Sequence, residues 1–343
     1  MSQHAFATHA VGTVAVVMVS YRSASLTIDC LGTLAAERAA GRPANLKVVV
    51  VDNDSGDASL ISAAVAQQGW ADWVRVVRAP RNGGFGYGNN LGVATARATW
   101  GVEWVHFLNP DTLVRPGAIV ALRDFLAAHP RAAMAGGRFL NGDGSAWSYA
   151  FRFPGLVSEC EHGLALGLFS RLCHRHVVPR VMGEQAAQID WVSGASMMMR
   201  VTAFEQLRGF DEGFFLYYEE TDLCLRAHQA GWQTWYVPDS LVVHLAGQST
   251  GVTCRDQAPQ RLPAYWYEAR RHYFVLNHGR LRAAAIDAAA LLAHALGRAK
   301  RGLQGRATDN VPHFLGDLWR HSVWRCWHQP ENRRWPGDAR AGQ

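Results

Sequence analysis

Three clusters of polar residues each follow a short apolar run in this sequence, at positions 52–57, 81–90 and 109–111. The carboxylates of Asp52 and Asp54 can accept hydrogen bonds from a nucleotide base or a ribose hydroxyl, although a segment this rich in Asp, Asn and Gly is also typical of a plain turn. In the third cluster, the Asp111 carboxylate can hold Mg²⁺ or Mn²⁺, which prefer oxygen ligands and bridge substrate phosphates. A single aspartate at such a place also commonly serves as a cap or turn residue.

Three carboxylates and one histidine further along the chain offer proton chemistry. Glu219, Glu220 and Asp222 follow an aromatic run and open a predicted helix. Adjacent carboxylates repel each other, which raises the pKa of one of them and suits a general base. The structural alternative is that the helix dipole favours acidic residues at its N-terminus and that Asp222 pairs with Arg226. His244 follows a predicted strand, where a lone histidine is more often structural than a ligand.

The middle cluster carries a glycine-rich stretch at residues 83–88, before a helix predicted to begin near Asn89. Gly84, Gly86 and Gly88 fit a GxGxG spacing. However, the stretch follows the third predicted strand and lacks the helix-opening spacing of a dinucleotide-binding fingerprint. A dinucleotide-dependent oxidoreductase is therefore disfavoured, but the glycine backbone can still approach a sugar or a phosphate closely.

The elements that position these clusters are strands and helices in alternation. Residues 14–19, 48–51, 74–77 and 104–108 are apolar runs typical of strands buried on both faces, and helical patterns separate them. This alternation predicts βαβ units in an α/β fold with a mostly parallel central sheet flanked by helices. Ligands bind outside the carboxyl ends of the strands in such a sheet, where all three polar clusters stand.

The rest of the chain is less regular. Strands are predicted at 188–200 and 234–237, and a clear helix at 281–301 lies within a helical C-terminal region. The segment 331–343 is rich in Gly, Asp and Arg and is expected to fray. We predict an N-terminal tail at 1–12, a catalytic domain at 13–255 with halves at 13–131 and 132–255, and a C-terminal region at 256–343.

The formal charge of +6 is concentrated at one end of the chain. Residues 1–260 carry 20 basic and 22 acidic side chains, whereas residues 261–343 carry 14 and 6, together with five tryptophans. A basic, tryptophan-rich region is expected to prefer an anionic surface, either lipid headgroups or nucleic acid. No nucleic-acid-binding motif accompanies the charge, which favours a membrane over nucleic acid. A solvated helical face with ordinary core aromatics is the alternative.

The compartment is indicated by what the sequence lacks. The six cysteines are far apart and form no CxxC pair, which is typical of a reducing cytosol. No apolar run reaches the roughly 18 residues needed to span a bilayer, and residues 1–10 lack the basic start of a secretory signal. We therefore expect a cytoplasmic protein.

Seven motifs stand in an order that resembles the inverting glycosyltransferases of family 2, and within them the bacterial rhamnosyltransferase-like branch. The resemblance covers about residues 14–250 and rests on Val19-Ser20-Tyr21, Val51-Asp52-Asn53-Asp54-Ser55, Asn82-Gly83-Gly84-Phe85 with Asn89-Asn90-Leu91-Gly92, Asn109-Pro110-Asp111, Trp191-Val192-Ser193-Gly194-Ala195, residues 215–222 and residues 244–249. It implies the GT-A fold, with a Rossmann-like sheet.

The resemblance also implies roles for individual residues. Glu220 matches the catalytic base, which is commonly Asp in the family, so the choice between Glu219 and Glu220 stays open. Asp111, the last residue of a DxD counterpart whose first residue here is Asn109, would bind the metal together with His244. The residues expected at the donor are Ser20, Tyr21, Asp52, Asp54, Asn82, Gly83, Asn90 and Asn109. Those expected at the acceptor are Trp191, Gly194, Ala195, Glu219 and Asp222.

By this resemblance the protein transfers a sugar from a nucleotide diphosphate donor, with Mg²⁺ or Mn²⁺ as cofactor, in cell-surface polysaccharide synthesis. We expect L-rhamnose from dTDP-rhamnose, with galactofuranose, glucose or another hexose from a UDP-sugar as alternatives. The implied acceptor is a polyprenyl-diphosphate-linked or other saccharide. The C-terminal region would then contact the anionic cytosolic face of the inner membrane. A sugar-nucleotide-binding module without catalysis is the alternative from a different class.

Overall fold

The computed structural model describes residues 12–145, 150–245, 260–305 and 311–338. Its strands are β1 (Val14–Ser20), β2 (Leu46–Asp52), β3 (Val74–Arg78), β4 (Trp104–Leu108), β5 (Thr112–Val114), β6 (Ala132–Leu140), β7 (Ala150–Phe151), β8 (Ala187–Ile189), β9 (Trp191–Val192), β10 (Ser196–Arg200) and β11 (Gln233–His244). Its helices are α1 (Ala24–Ala39), α2 (Ala58–Gln67), α3 (Gly84–Trp100), α4 (Ala118–Ala128), α5 (Leu156–Leu164), α6 (Gly167–Leu172), α7 (Val201–Gln206), α8 (Glu219–Gln229), α9 (Ala264–His278), α10 (Arg280–Leu303) and α11 (Phe314–Arg320).

The central sheet has the strand order β3-β2-β1-β4-β10-β6-β11-β5, and β8 pairs with β11. The first four strands in this order are parallel, as predicted. β10 runs antiparallel to both β4 and β6, whereas β11 is parallel to β6 and antiparallel to β5. The carboxyl ends of β1, β2, β3 and β4 therefore meet at one edge, which brings the three polar clusters together.

Both faces of the sheet are covered, which explains the continuous valine runs. On β1, Val14, Val16 and Met18 pack into one buried cluster, while Ala15 and Val17 pack into another on the opposite face. A strand buried on both sides needs apolar residues at every position rather than at alternate ones.

The glycine-rich stretch forms the first turns of α3, so the helix begins at Gly84 and not near Asn89 as predicted. The glycines let α3 lie close to β1. A Cβ on Gly88 would come within 2.7 Å of a Val19 methyl, and one on Gly92 within 2.3 Å of a Val17 methyl. At positions 88 and 92 of α3 only a residue without a side chain fits. The glycine-rich pattern therefore reflects helix packing as well as access for a ligand.

Two other element predictions need correction. The stretch expected to be strand at 188–200 is divided into β8 and β10, which belong to the central sheet, and β9, which pairs with β7 in a separate two-stranded sheet. The strand expected at 234–237 extends to His244 in β11, with a register shift between Tyr236 and Leu241 that the periodicity conceals. The predicted tail and the stretch 246–255 lie almost wholly outside the described residues.

The C-terminal helices pack on the catalytic domain instead of extending away from it. α10 crosses α5 closely at glycines, since a Cβ on Gly297 would lie 2.1 Å from the Gly163 carbonyl oxygen. The buried Arg270 of α9 forms an ion pair with Glu159 of α5 at 2.7 Å. Within the described residues, no helix is long and apolar enough to cross a membrane, and the five described cysteines are free.

Candidate active site

A cavity of about 380 Å³, which we call the strand-end cavity, opens at the carboxyl edge of the parallel strands. Three of the predicted donor-binding residues line it, namely Tyr21 after β1, Asn82 before α3 and Asn109 after β4. It is also lined by Asn53 and, from the C-terminal region, by Tyr265. The strand-end positions of these side chains follow from the parallel sheet, whereas the contribution of α9 was not predicted.

Asp52 is directed into its own loop and is not among the residues that line the strand-end cavity. Its Oδ1 accepts hydrogen bonds from the Ser55 backbone N–H at 2.9 Å and the Ser55 hydroxyl at 2.6 Å, and its Oδ2 accepts one from the Ala58 N–H at 3.0 Å. Burial raises the pKa of Asp52, but these hydrogen bonds outweigh it and leave the pKa below its usual value. Asp52 thus shapes the turn. Asp54 is exposed at a φ of 61°.

Asn53, between the two aspartates, is the residue that reaches the cavity. Its side-chain Nδ2 donates to Asn82 Oδ1 at 2.9 Å and to the Gly84 carbonyl at 3.1 Å. Its Oδ1 accepts from the Gly83 backbone N–H at 3.4 Å. The asparagine therefore ties the end of β2 to the start of α3. The charged neighbours were predicted instead of Asn53 because a carboxylate suggests chemistry more directly than an amide does.

Two further predicted donor-binding residues have structural partners. Ser20 is buried, and its hydroxyl donates to Asp57 Oδ2 at 3.2 Å. Asn90 is buried in α3, where its Oδ1 accepts from the Phe210 backbone N–H at 3.0 Å and its Nδ2 donates to Glu212 at 3.0 Å. Neither lines the strand-end cavity. Both residues hold the surrounding loops in place.

Asp111 and His244 come together beside this cavity, although they are 133 positions apart in the chain. β5 begins one residue after Asp111 and pairs with the end of β11, which places His244 Nε2 3.4 Å from Asp111 Oδ1. Both side chains are largely buried, with 2% and 13% exposed. A carboxylate oxygen and an imidazole nitrogen suit a cation such as Mn²⁺. The described residues contain no group of three or more His, Cys, Asp or Glu arranged to hold a metal ion, so further ligands would have to come from a substrate or water.

A second cavity of about 380 Å³, which we call the aromatic cavity, lies on the other side of the residue 215–218 segment. Its wall includes Trp191, Trp266 and Phe314, and Glu220 is the catalytic candidate that faces it. Trp191 stacks on Phe151 with ring centroids 4.2 Å apart, and its Nε1 donates to the Arg152 carbonyl at 2.9 Å. The predicted acceptor residue Trp191 is therefore held rigidly in the wall.

Glu219 and Glu220 form the first turn of α8, where the helix dipole favours their charge. Glu219 is only 3% exposed and does not line either cavity, whereas Glu220 lines the aromatic cavity and accepts a hydrogen bond from the Gly194 backbone N–H at 3.5 Å. Burial raises the pKa of both carboxyls, and the neighbouring Glu220 charge raises that of Glu219 further. Of the two candidates, Glu220 is the one that can meet a substrate.

Gly194 stands where the two cavities approach each other. A Cβ built on it would lie 3.2 Å from the Phe85 ring, which lines the strand-end cavity, and 3.7 Å from Glu220 Cβ. The next residue, Ala195, accepts a hydrogen bond at its carbonyl from the Asn109 N–H at 3.0 Å. The two predicted acceptor residues therefore fix the loop that joins the sites.

Asp222 faces away from both cavities into a buried ion-pair network. Its carboxylate accepts hydrogen bonds from Arg226 at 2.7 Å, from Asn277 at 3.0 Å and from Arg333 at 2.8 and 2.9 Å. The structural alternative, a pair with Arg226, is thus correct for this residue. Arg333 lies in the segment 331–343, which was expected to fray. That expectation is wrong for the described residues 331–338, because the buried carboxylates of Asp222 and Asp211 bind this segment.

The C-terminal region adds aromatic side chains to both cavities, which the division at residue 256 did not anticipate. Tyr265 stacks with Tyr217 at a centroid distance of 6.2 Å and contacts Phe215 at 5.4 Å. Trp266 packs edge-on against Tyr218 at 6.2 Å. The run Tyr265-Trp266-Tyr267 in the sequence is the signal that could have revealed this contribution.

Known proteins resemble this chain in sequence and in fold. The family model described as Glycosyltransferase like family 2 matches residues 11–274. N-acetylglucosaminyl-diphospho-decaprenol L-rhamnosyltransferase of Mycobacterium tuberculosis (strain CDC 1551 / Oshkosh) is 32% identical over 214 residues, which are 60% of this chain and 68% of that protein. dTDP-rhamnosyl transferase RfbF of Shigella flexneri is 24% identical over 237 residues, 68% of this chain and 72% of that protein.

Among solved structures, GalNAc-T7 with UDP, GalNAc and Mn²⁺ is similar in fold, with a TM-score of 0.55 at 15% identity. The match covers 94% of this chain and 59% of that longer chain. The likeness confirms the predicted GT-A fold. The family match confirms the assignment made from the seven motifs, and the chain therefore belongs to glycosyltransferase family 2.

Proposed function

We propose that this protein is an inverting glycosyltransferase that moves L-rhamnose from dTDP-rhamnose to a lipid-linked saccharide in cell-surface polysaccharide synthesis. Two relatives, both rhamnosyltransferases, support the sugar, and one of them, which acts on N-acetylglucosaminyl-diphospho-decaprenol, supports the acceptor class. The observation that carries the proposal is the position of Glu220, whose carboxylate faces the aromatic cavity beside the loop that joins it to the strand-end cavity.

The strand-end cavity would hold the nucleotide diphosphate sugar. Tyr21, Asn53, Asn82 and Asn109 offer a ring face, amide donors and amide acceptors at its wall, and Tyr265 offers a second ring. The aromatic cavity would hold the acceptor sugar, since stacked rings such as Trp191 present flat apolar surface to a sugar ring. The two substrates would then meet at Gly194.

We infer that Asp111 and His244 bind Mg²⁺ or Mn²⁺ together with the donor diphosphate. A divalent cation, when bound, neutralises the negative charge that grows on the leaving nucleoside diphosphate. The chain itself supplies one carboxylate oxygen and one imidazole nitrogen 3.4 Å apart. The Mn²⁺ in the structure of GalNAc-T7 supports a divalent ion in this fold.

In the reaction, the acceptor hydroxyl oxygen attacks the anomeric carbon while the bond from that carbon to the diphosphate oxygen breaks. Glu220 takes the hydroxyl proton, and the nucleoside diphosphate leaves with the bonding electrons. A single displacement of this kind inverts the anomeric centre and needs no covalent intermediate. Because burial raises the pKa of Glu220, it is a stronger base than an exposed carboxylate, provided that it is ionised.

The site of action would be a membrane surface. A polyprenyl-linked acceptor resides in the bilayer, and the +8 balance of residues 261–343 supports contact with anionic lipid. We place the enzyme at the cytosolic face of the inner membrane, where nucleotide sugars are available.

The test compares Glu220→Gln with Glu219→Gln. We expect Glu220→Gln to lose about 10²–10⁴-fold in turnover, which is the usual contribution of a general base, and to keep the donor-induced rise in melting temperature. Glu219→Gln is the matched control and should keep most of the activity. Normal turnover by Glu220→Gln would refute the assignment of the base. In a melting-temperature screen, a larger shift with a UDP-hexose than with dTDP-rhamnose would refute the proposed donor.

A further inference from the structure

The longest helix, α10, presents an apolar stripe to solvent. Leu281, Leu292, Leu296 and Leu303 are 79%, 62%, 52% and 91% exposed, and the exposed positions between them are mostly alanine. At about 100° per residue, these leucines fall within about 60° of one another on one side of the helix. The 24-residue helix is about 36 Å long. Single exposed leucines are common on proteins, but a continuous row along a helix marks an interaction surface.

Basic side chains border this α10 stripe on both sides. Arg282 and Lys300 lie about 70° from its centre in one direction, and Arg280 and Arg298 lie about 130° from it in the other. Lys300 donates to the carbonyls of Leu164 and Ala165, and Arg280 donates to those of Trp327 and Gln329, whereas Arg282 and Arg298 are exposed. The single acidic residue of α10, Asp287, is buried and hydrogen-bonded to Arg270. The exposed side of the helix is therefore apolar in the middle and positive at its edges.

We propose that α10 lies flat on an anionic bilayer, with the α10 stripe at the boundary between headgroups and acyl chains. The exposed Arg282 and Arg298 can extend to lipid phosphates while their stems lie on apolar surface. This inference rests on the proposed function only in that a lipid-linked acceptor gives the contact its purpose.

The charge pattern argues against a second copy of the chain as the occupant of this face. In a helix pair joined through such a stripe, the flanking positions of the two helices oppose each other. Here Arg282 flanks the stripe on one side, so an antiparallel pair of copies, in which like flanks meet, would bring arginine against arginine. An anionic surface complements the same pattern, and it needs no specific register.

The position of α10 connects this surface to the active site. α10 packs against α5 at the Gly163 and Gly297 contact, and α5 contributes Ser158, Glu161 and His162 to the wall of the aromatic cavity. A bilayer under α10 would therefore lie one helix away from the cavity proposed for the acceptor sugar. The contact would present the lipid-linked end of the acceptor from a fixed side.

Sedimentation with vesicles tests the proposal. We expect the protein to pellet with phosphatidylcholine vesicles that contain phosphatidylglycerol, to pellet much less with phosphatidylcholine alone, and to lose binding at high salt. The double variant Leu292→Glu with Leu296→Glu should bind these vesicles at least about tenfold more weakly than the unaltered protein. The matched control is Leu60→Glu, since Leu60 is 64% exposed on α2 of the catalytic domain. It should bind as the unaltered protein does.

Two further measurements separate the outcomes. Leu292→Trp should shift its fluorescence to shorter wavelength on anionic vesicles, and an unchanged spectrum would overturn the proposal. The proposal would also be overturned if the double variant bound vesicles as strongly as the unaltered protein. The same holds if light scattering showed the unaltered protein to be a dimer and the double variant to be a monomer. Transfer to a water-soluble acceptor should be equal in the double variant and the unaltered protein. If transfer is absent in both while vesicle binding follows the stripe, the proposed function fails and the membrane surface stands.

Discussion

Arg333→Met should destabilise the protein because Arg333 neutralises the fully buried carboxylate of Asp222 on α8. The guanidinium donates to both oxygens of Asp222 at 2.9 and 2.8 Å and to Asn277 at 3.0 Å. Breaking a fully buried ion pair costs about 3–5 kcal/mol. Here Arg226 remains on Asp222 and the Arg333 side chain is 22% exposed. We therefore expect a loss of about 2 kcal/mol in the free energy of unfolding.

The assay is urea denaturation followed by tryptophan fluorescence, together with thermal unfolding. For a chain of this size, a loss of about 2 kcal/mol lowers the melting temperature by about 3 °C. Arg334→Met is the matched control, since Arg334 is exposed and its contact with Asp211 is made by the backbone N–H. kcat should also fall in Arg333→Met, because Asp222 lies two residues after the proposed base. Equal unfolding midpoints for the two variants would refute the reasoning.

Three further predictions concern the donor loop, the metal and the pH dependence of stability. Gly84→Ala should lower the melting temperature and abolish donor binding, because φ at Gly84 is +86° and the new Cβ would lie 1.9 Å from the Phe215 carbonyl oxygen. The control is Gly101→Ala, where φ is +62° and the new Cβ would meet nothing within 4 Å. It should lower the free energy of unfolding by only about 1–2 kcal/mol. Asp111→Asn should remove the Mn²⁺-dependent part of donor affinity, and calorimetry that finds equal affinities with and without Mn²⁺ would contradict the metal assignment. Burial lowers the pKa of His106 to about 3. Between about pH 6.5 and 3 the unfolded state therefore binds a proton that the folded state does not. The free energy of unfolding falls as the pH drops through that range, by up to about 1.4 kcal/mol per pH unit. His106→Leu should flatten the dependence of the unfolding free energy on pH, and an unaltered slope would contradict the assignment.

The fold of residues 13–131 could be predicted from local patterns because the strands there are buried on both faces. A run such as residues 48–51 has one structural interpretation when turns and helices flank it. The order β3-β2-β1-β4 was not predicted, because parallel pairing alone does not decide which strands are neighbours. What periodicity could not reveal is the antiparallel β10 between β4 and β6, since the pairing partner of a strand depends on contacts distant in sequence.

The predicted site residues that the fold brings together are those whose type carries its chemistry openly. Asp111 and His244 meet as expected, and Glu220 faces a cavity. Asn53 was missed because its role depends on which side chain of a short turn points outward, and that choice is set by the hydrogen bonds of Asp52. Asp222 was predicted to contact the acceptor, but its carboxylate accepts hydrogen bonds from Arg333. No local sequence pattern indicates a partner 111 positions away.

The distribution of the cavity walls along the chain bears on how such enzymes diverge. The family model ends at residue 274, inside α9, so Tyr265 and Trp266 belong to the matched region, whereas Phe314 and Arg333 lie beyond it. The residues that line the strand-end cavity thus all come from the matched region, while Phe314 in the wall of the aromatic cavity comes from beyond it. A chimaera joined at residue 256 would separate Tyr265 from the rings it stacks on. One joined after α9 would keep every residue that lines the strand-end cavity and exchange Phe314 of the aromatic cavity together with Arg333, the partner of Asp222.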